Sequence, residues 1–394
     1  METFVWIILL PLAASPFIYV AGRVTDNEKP YAQWLALATL AAALLVFGVV
    51  AVEGGAPVFE LDAMTLQFDG IAQLVAGLTL SLGALVVLYS GSYMAGEEGA
   101  EKYYALLVAM IGVIVGLACA TDLFNLWLWF EAMAITSYFL VAFYRNQPTS
   151  LEAGVKYLVQ SASGSVLVIT GIALIFAQTG TTEIAAVRAA ALDSTMTMAA
   201  GALFVIGFGV KAALVPMHTW LPDAHSQAPS GISAMLSGVV IEGGLVAMLR
   251  ALTVMGGFAT SWGALLMLFG AANMVIGNLL ALRQTQVKRM LAFSSLTHMG
   301  YMLIGLGVGI YAGELAGAQG GFFHMLSHGM MKGLAFLAAG TLLYTLHIGL
   351  GDHEPLTNSD LNGAAQRYPI TALALSVAVL GLGGLPPLVG FMSK

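Results

Sequence analysis

The sequence predicts an all-α membrane protein of about twelve transmembrane helices. Three observations carry that reading. Hydrophobic residues make up 59% of the 394 and charged residues only 9%, against roughly a quarter charged in soluble domains. A water-soluble fold would have too little polar surface to cover itself. The apolar residues come in runs of about twenty, the length that crosses a bilayer as a helix. Two of those runs are broken, at Pro216 and in GLGGLPPLVG from Gly381 to Gly390. Broken helices inside a membrane survive where protein or a water-filled cavity takes up the freed backbone groups.

Taken in order, spans begin near Phe4, Ala32, Gly70, Tyr103, Leu123, Ala153, Thr197, Gly231, Thr260, Val287, Ala318 and Pro369. The opening METFVWIILLPLAASPF has no basic lead, so the first span is expected to be retained and not cleaved as a signal peptide. Little more than Thr121 and Asp122 separates the fourth and fifth. The twelfth runs out at Lys394, which is the expectation for a fragment or truncated reading frame.

Basic residues set the topology. With the N-terminus outside, the inner loops and helix ends hold Arg23, Lys29, Lys102, Arg145, Lys156, Arg283, Lys288, Arg289 and Arg367, and the outer side only Arg188 and Arg250. That bias places the inner loops in the cytoplasm. Glu53, Glu60, Asp62 and Asp69 make the loop before the third span acidic. Spans seven and twelve, the two broken ones, lie five spans apart. Units of five spans are then inverted relative to each other, as in transporters. A faint match at a shift of 163 points the same way, with Leu128/Leu291, Phe130/Phe293, Tyr138/Tyr301 and Leu140/Leu303. The expected division of this single membrane domain is 1–102, then 103–255 and 260–394, the last incomplete.

Ionisable side chains inside the apolar runs are the candidate site, because lipid makes them costly unless they face protein or water. Lys211 lies deep in the seventh span, before the break. A polar turn with His218, Asp223, His225 and Pro229 follows, and Glu242 sits in VVIEGG of the eighth. Glu131 stands about 12 Å into the fifth span at 1.5 Å per residue. In FFHMLSHGMMKGLAF, His324, His328 and Lys332 recur every fourth residue, on one helix face and about 6 Å apart. Neutral imidazole donates at one nitrogen and accepts at the other, so it passes a proton without holding charge. Structural readings stand beside these: Lys211 snorkelling to an interface, and histidines satisfied within a core. HxxxH without an HExxH glutamate is a poor zinc motif. One cysteine, Cys119, leaves no internal disulfide and no cysteine-ligated cluster. GFGVKA fits GxGxxA, but no strand precedes it, so no nucleotide site is expected. His218, Asp223 and His225 either hydrate a path or cap freed backbone, and Lys288 and Arg289 are expected to contact head groups or loops. His298 is a lesser candidate for the relay. The polar segment HIGLGDHEPLTNSDLNGAAQRYP is expected to be an inner docking loop.

PMHTWLPDAHSQAPSGISAMLSG, from Pro216 to Gly238, resembles the signature of the antiporter-like membrane subunits of NADH:quinone oxidoreductase (respiratory complex I), nearest the M-type chain. The resemblance spans roughly residues 65 to 394, and the same fold serves Mrp-type antiporters and membrane-bound hydrogenases. It implies a Glu131–Lys211 pair acting as a switch: moving or protonating the carboxylate expels the proton of a buried lysine. It implies a central relay of His324, His328 and Lys332, and an exit-side role for Lys394. At position 242 the family usually has lysine. Glutamate there either relays protons with the charge reversed or marks a changed ion or axis. The implied function is proton translocation in a respiratory complex of the inner membrane, with no cofactor or metal in this chain. The implied partners are other membrane subunits, lipid and protons (sodium in the antiporter alternative), and no nucleic acid. A solute transporter and an inert truncated product are the remaining alternatives.

Overall fold

Asp69, Asp122 and Ser194 each stand just before an apolar run, and each caps a helix. Their side chains accept from the backbone N–H of Ala72, of Phe124 and Asn125, and of Thr197. A first turn has no internal partners for those N–H groups, so short oxygen-bearing side chains fix where the spans start. The computed structural model describes every residue except 1, 26–29, 62–63, 257–258 and 351–353. Lys29 and Asp62, used above for topology, lie outside the described residues.

The chain runs through α1 (Val5–Val24), α2 (Tyr31–Glu53), an antiparallel hairpin of β1 (Val58–Leu61) and β2 (Met64–Gln67), α3 (Gly70–Tyr93), α4 (Ala100–Cys119), α5 (Leu123–Val141) and α6 (Pro148–Thr179). The short α7 (Ile184–Ala189) leads to α8 (Thr195–Lys211), α9 (Trp220–Gln227), α10 (Ser230–Met235), a π-helical turn at Leu236–Val240 and α11 (Ile241–Leu252). Then come α12 (Ala259–Ala281), α13 (Val287–Ala312), α14 (Leu315–Leu346), α15 (Ala364–Arg367), α16 (Pro369–Gly383) and α17 (Val389–Met392).

An apolar helix begins near each of the twelve expected starts. Ten helices are long and apolar enough to cross a membrane among the described residues, and the two shorter apolar ones are α8 and α16. Those two are the spans in which the sequence placed breaks, and α9 and α17 resume them. The bundle has an inside and a rim. The continuous span Ser230–Leu252 is 94% buried, whereas α2 and α12 are 22% buried and turn most of their surface outward. The site therefore grows from the α10–α11 axis.

Two ion-pair clusters hold the ends. Arg250 reaches Asp69 at 2.8 Å and also donates to the carbonyl of Ala118, tying α11 to the start of α3 and the end of α4. Among the residues expected on the opposite face, Arg289 and Lys156 both hold Asp223, at 2.5 and 3.1 Å, and Arg145 holds Glu98.

Candidate functional site

Ending α8 at Lys211 leaves backbone groups that lipid cannot satisfy. Asn273 of α12 meets them: its Oδ1 accepts from Val215 N at 2.8 Å and its Nδ2 donates to Ala213 O at 3.2 Å. Trp220 Nε1 takes Val210 O at 2.7 Å. Ala213 holds a positive φ of 55°, a conformation that costs a non-glycine residue of order 1–3 kcal/mol and recurs at functional sites. Lys211, held at the end of this helix, is fully buried. Its Nζ donates to Ser137 Oγ at 3.2 Å and lies 4.4 Å from the centre of the Tyr157 ring. Tyr157 in turn stacks on Trp220 at 4.0 Å and bonds Ser137 through its hydroxyl at 2.9 Å. An ammonium over a desolvated ring is stabilised by about 2 kcal/mol. Glu131 stands on α5 like Ser137, but no ion pair within 4.0 Å joins it to Lys211 among the described residues. Its Oε1 is buried without a hydrogen-bond partner.

Glycines bring the next group close. A Cβ on Gly244 would stand 2.8 Å from Ala212 N and 3.0 Å from Lys211 Cβ, so only glycine lets α11 lie directly on the end of α8. Likewise a Cβ on Gly329 would stand 2.7 Å from Gly238 O, which lets α14 touch the π-helical turn backbone to backbone. Beside that contact, His328 Nδ1 and Glu242 Oε1 are 2.8 Å apart with both side chains buried.

The histidine file continues on α13 and α14. His298 Nδ1 and His324 Nε2 are 3.0 Å apart, and His324 Nδ1 meets Ser393 Oγ at 2.7 Å. The His298 ring is 5.2 Å from those of both His324 and His328. Lys332, also fully buried, donates to Leu291 O at 2.8 Å. Lys394 is exposed; its Nζ donates to Leu382 O at 2.6 Å and sits 4.6 Å from the Tyr301 ring centre. Lys394, Tyr301 and His298 line one cavity of about 360 Å³.

The buried set thus comes from α5, α8, α11, α13 and α14. His298, a lesser candidate from sequence, lies at the centre of the histidine cluster. Asn273, Ser137, Tyr157 and Ser393 were missed. A single asparagine inside the apolar run AANMVIG was the available signal for Asn273; hydroxyls in spans carry none. Of the two contacts expected for Lys288, head groups or loops, the structure has the loop: Lys288 is buried and donates to Ala228 O, between α9 and α10, at 2.5 Å. Of the three polar residues at the break, Asp223 makes ion pairs, and buried His225 stacks on Phe336 at 4.7 Å with neither ring nitrogen bonded. Among the described residues, no group of three or more His, Cys, Asp or Glu is placed to hold a metal.

Residues 120–394 match the family described as "NADH:quinone oxidoreductase/Mrp antiporter, TM". The chain is 34% identical over 386 residues to NADH-quinone oxidoreductase subunit N of Chloroflexus aggregans, covering 94% of this chain and 75% of that one. It is 33% identical over 359 residues to hydrogenase-4 component B of Escherichia coli, covering 88% of this chain but 52% of the other. Among solved structures it superposes with a TM-score of 0.90 on a chain of the membrane-bound sulfane sulfur reductase, an archaeal respiratory membrane complex. There the identity is 28%, with 100% of this chain and 80% of that one covered. The complex I relative quoted is an N-type chain, whereas the motif alone was read as nearest the M-type.

Proposed function

The chain belongs to the NADH:quinone oxidoreductase/Mrp antiporter family of membrane proteins, and from that premise we propose that it is a proton-translocating, antiporter-like subunit of an NADH:quinone oxidoreductase-type respiratory complex. The observation that carries this reading is the burial of Lys211, Glu242, His298, His324, His328 and Lys332, from four helices, with Glu242 bonded to His328 and His298 to His324. Protonatable groups are retained in such a place when they conduct. Lys211 is the switch, with Glu131 as the charge that biases it. Glu242 and the histidines with Lys332 form the relay, and Lys394 stands at the exit side. Electron transfer falls to other subunits of the complex, and this chain holds no cofactor. The two broken helices, α8–α9 and α16–α17, are corresponding elements of inverted five-helix repeats. The chain lies in the cell's inner membrane with its N-terminus outside, a reading supported by the excess of basic residues in the loops expected inside and by the shared hold of two of them, Lys156 and Arg289, on Asp223.

The test is Lys211→Ala in the complex purified through a tag on this chain and returned to vesicles. Pumping is expected to vanish while the complex stays assembled; near-normal pumping removes Lys211 from the mechanism. The likeness to hydrogenase-4 component B favours a second reading, the same role in a membrane-bound hydrogenase. The subunits that co-purify decide between the two.

A further inference from the structure

Glu242 and His328 are bonded to each other, and each keeps one polar atom with no partner. Glu242 Oε2 and His328 Nε2 are both buried and unbonded. An ionised carboxylate with one bare oxygen, away from water, is costly. A neutral acid donating its O–H to Nδ1 is not. We propose that Glu242 rests as a carboxylic acid donating to His328, so that the pair is a loaded one-proton module whose two bare atoms are its inlet and its outlet. This rests on the proton-translocation reading above and deepens it.

The geometry sets the direction of transfer. With Nδ1 accepting, neutral His328 carries its own proton on Nε2. Release breaks that N–H bond and sends its proton towards His298, whose ring is 5.2 Å from the His328 ring. The O–H bond of Glu242 breaks as a new N–H forms at Nδ1. What remains is a carboxylate accepting from Nδ1–H, with Nε2 now an acceptor. Reloading places a proton on Oε2. The module then again holds two protons, one on the acid and one on the ring, and a turn of the carboxyl and of the imidazole brings the acid O–H back against a bare ring nitrogen and the ring N–H back towards His298. No proton is lost or gained beyond the one that passes.

The rest of the file fits an outlet at Nε2. His298, His324 and Ser393 are linked by bonds of 3.0 and 2.7 Å, while no bond joins His328 to His298. That gap is the one interruption between Glu242 and Ser393, and it is where a proton waits. On the inlet side, α11 rests on the end of α8 at Lys211 through Gly244. Lys332, one turn from His328 on α14, is held away by Leu291 O. The module therefore joins the lysine half of the site to the histidine half.

The test is infrared difference spectroscopy on the tag-purified complex, in water and heavy water, with pumping measured on the same samples. Wild type minus Glu242→Gln is expected to show a protonated-carboxyl C=O band that shifts on deuteration. His328→Leu should keep that band but displace it, since the acid loses its acceptor. Each variant should lose at least tenfold in pumping, and the double variant should lose no more than either one. His328→Gln, which keeps an acceptor, guards against a folding defect: it should retain the undisplaced band and still pump poorly. A carboxylate signature at Glu242 overturns the proposal, as does a double variant whose losses multiply. If Lys211→Ala still pumps, the conduction reading itself fails; if it does not pump and Glu242 is ionised, only the module fails.

Discussion

Gly329→Ala is the sharpest test of why this site exists at all. The added Cβ would stand 2.7 Å from Gly238 O and 2.8 Å from a Leu78 methyl. Leucine can yield, but a backbone carbonyl in a helix cannot. Ordinary C···O contacts lie near 3.3 Å, so α14 must back away from the π-helical turn by about 0.6 Å. His328 is the neighbouring residue, and its 2.8 Å bond to Glu242 would stretch to roughly 3.4 Å, outside hydrogen-bonding range. Overpacking costs about 1–3 kcal/mol, and the lost bond about 1 more. The expected result is a lowered melting midpoint in detergent and pumping reduced towards the level of Glu242→Gln. Gly320→Ala is the control on the same helix, because nothing lies within 4 Å of its added carbon. Adding Gly329→Ala to Glu242→Gln should reduce pumping no further. If Gly329→Ala melts and pumps as wild type does, close helix approach is not what holds the relay together.

Other consequences are as direct. Asn273→Leu leaves Val215 N and Ala213 O unpaired within the membrane, and should cost roughly 2–5 kcal/mol at one or more kcal/mol per orphaned group; an unchanged melting midpoint would show the break to be satisfied otherwise. Tyr157→Phe keeps the ring under Lys211 and should pump within a few-fold of wild type, whereas Tyr157→Leu removes the cation's aromatic floor and should lose about tenfold or more, some 1.4 kcal/mol; equal rates would exclude the ring. Asp69→Asn keeps an acceptor for Ala72 N and should lower the melting point less than Asp69→Leu, which removes both the cap and the partner of Arg250; the reverse order would deny the cap.

Much of this was legible in the sequence because lipid leaves few choices. A run of apolar residues near twenty long must be a helix, so the twelve spans were countable, and an interrupted run had to be a broken one. Buried charge was legible for the same reason: nothing in the apolar setting of Lys211 or Glu242 offers a structural excuse for it. Contact was not legible. Whether His328 meets Glu242 depends on how closely two helices approach, which Gly238 and Gly329 decide jointly from 91 residues apart. Nor does helix periodicity say that Lys288 turns inward while the adjacent Arg289 turns to Asp223. Hydroxyl partners such as Ser137 and Ser393 were invisible, since serine sits in apolar helices without penalty when it bonds the preceding turn.

The glutamate at 242 bears on what such a site requires. Adding a proton raises the local charge by one unit whether the acceptor is an amine or a carboxylate. The repulsion between a proton there and one on Lys211 is therefore the same in sign for either residue. At a separation of order 10 Å and an effective dielectric near 20 it amounts to about 1.7 kcal/mol, enough to make one occupancy disfavour the other roughly tenfold or more. What the residue type changes is which state is charged. A buried lysine is neutral when empty, and a buried glutamate is neutral when full. Coupling then survives exchange of one for the other, and only the resting occupancy inverts. Glu242→Lys is accordingly expected to retain a substantial share of pumping, while Glu242→Gln, which cannot exchange a proton, retains almost none. The measurement is the ratio of protons moved to electrons transferred in vesicles carrying each assembled variant. Should the lysine variant be as inert as the glutamine one, position 242 demands a carboxylate, and charge coupling to Lys211 is not what the residue supplies.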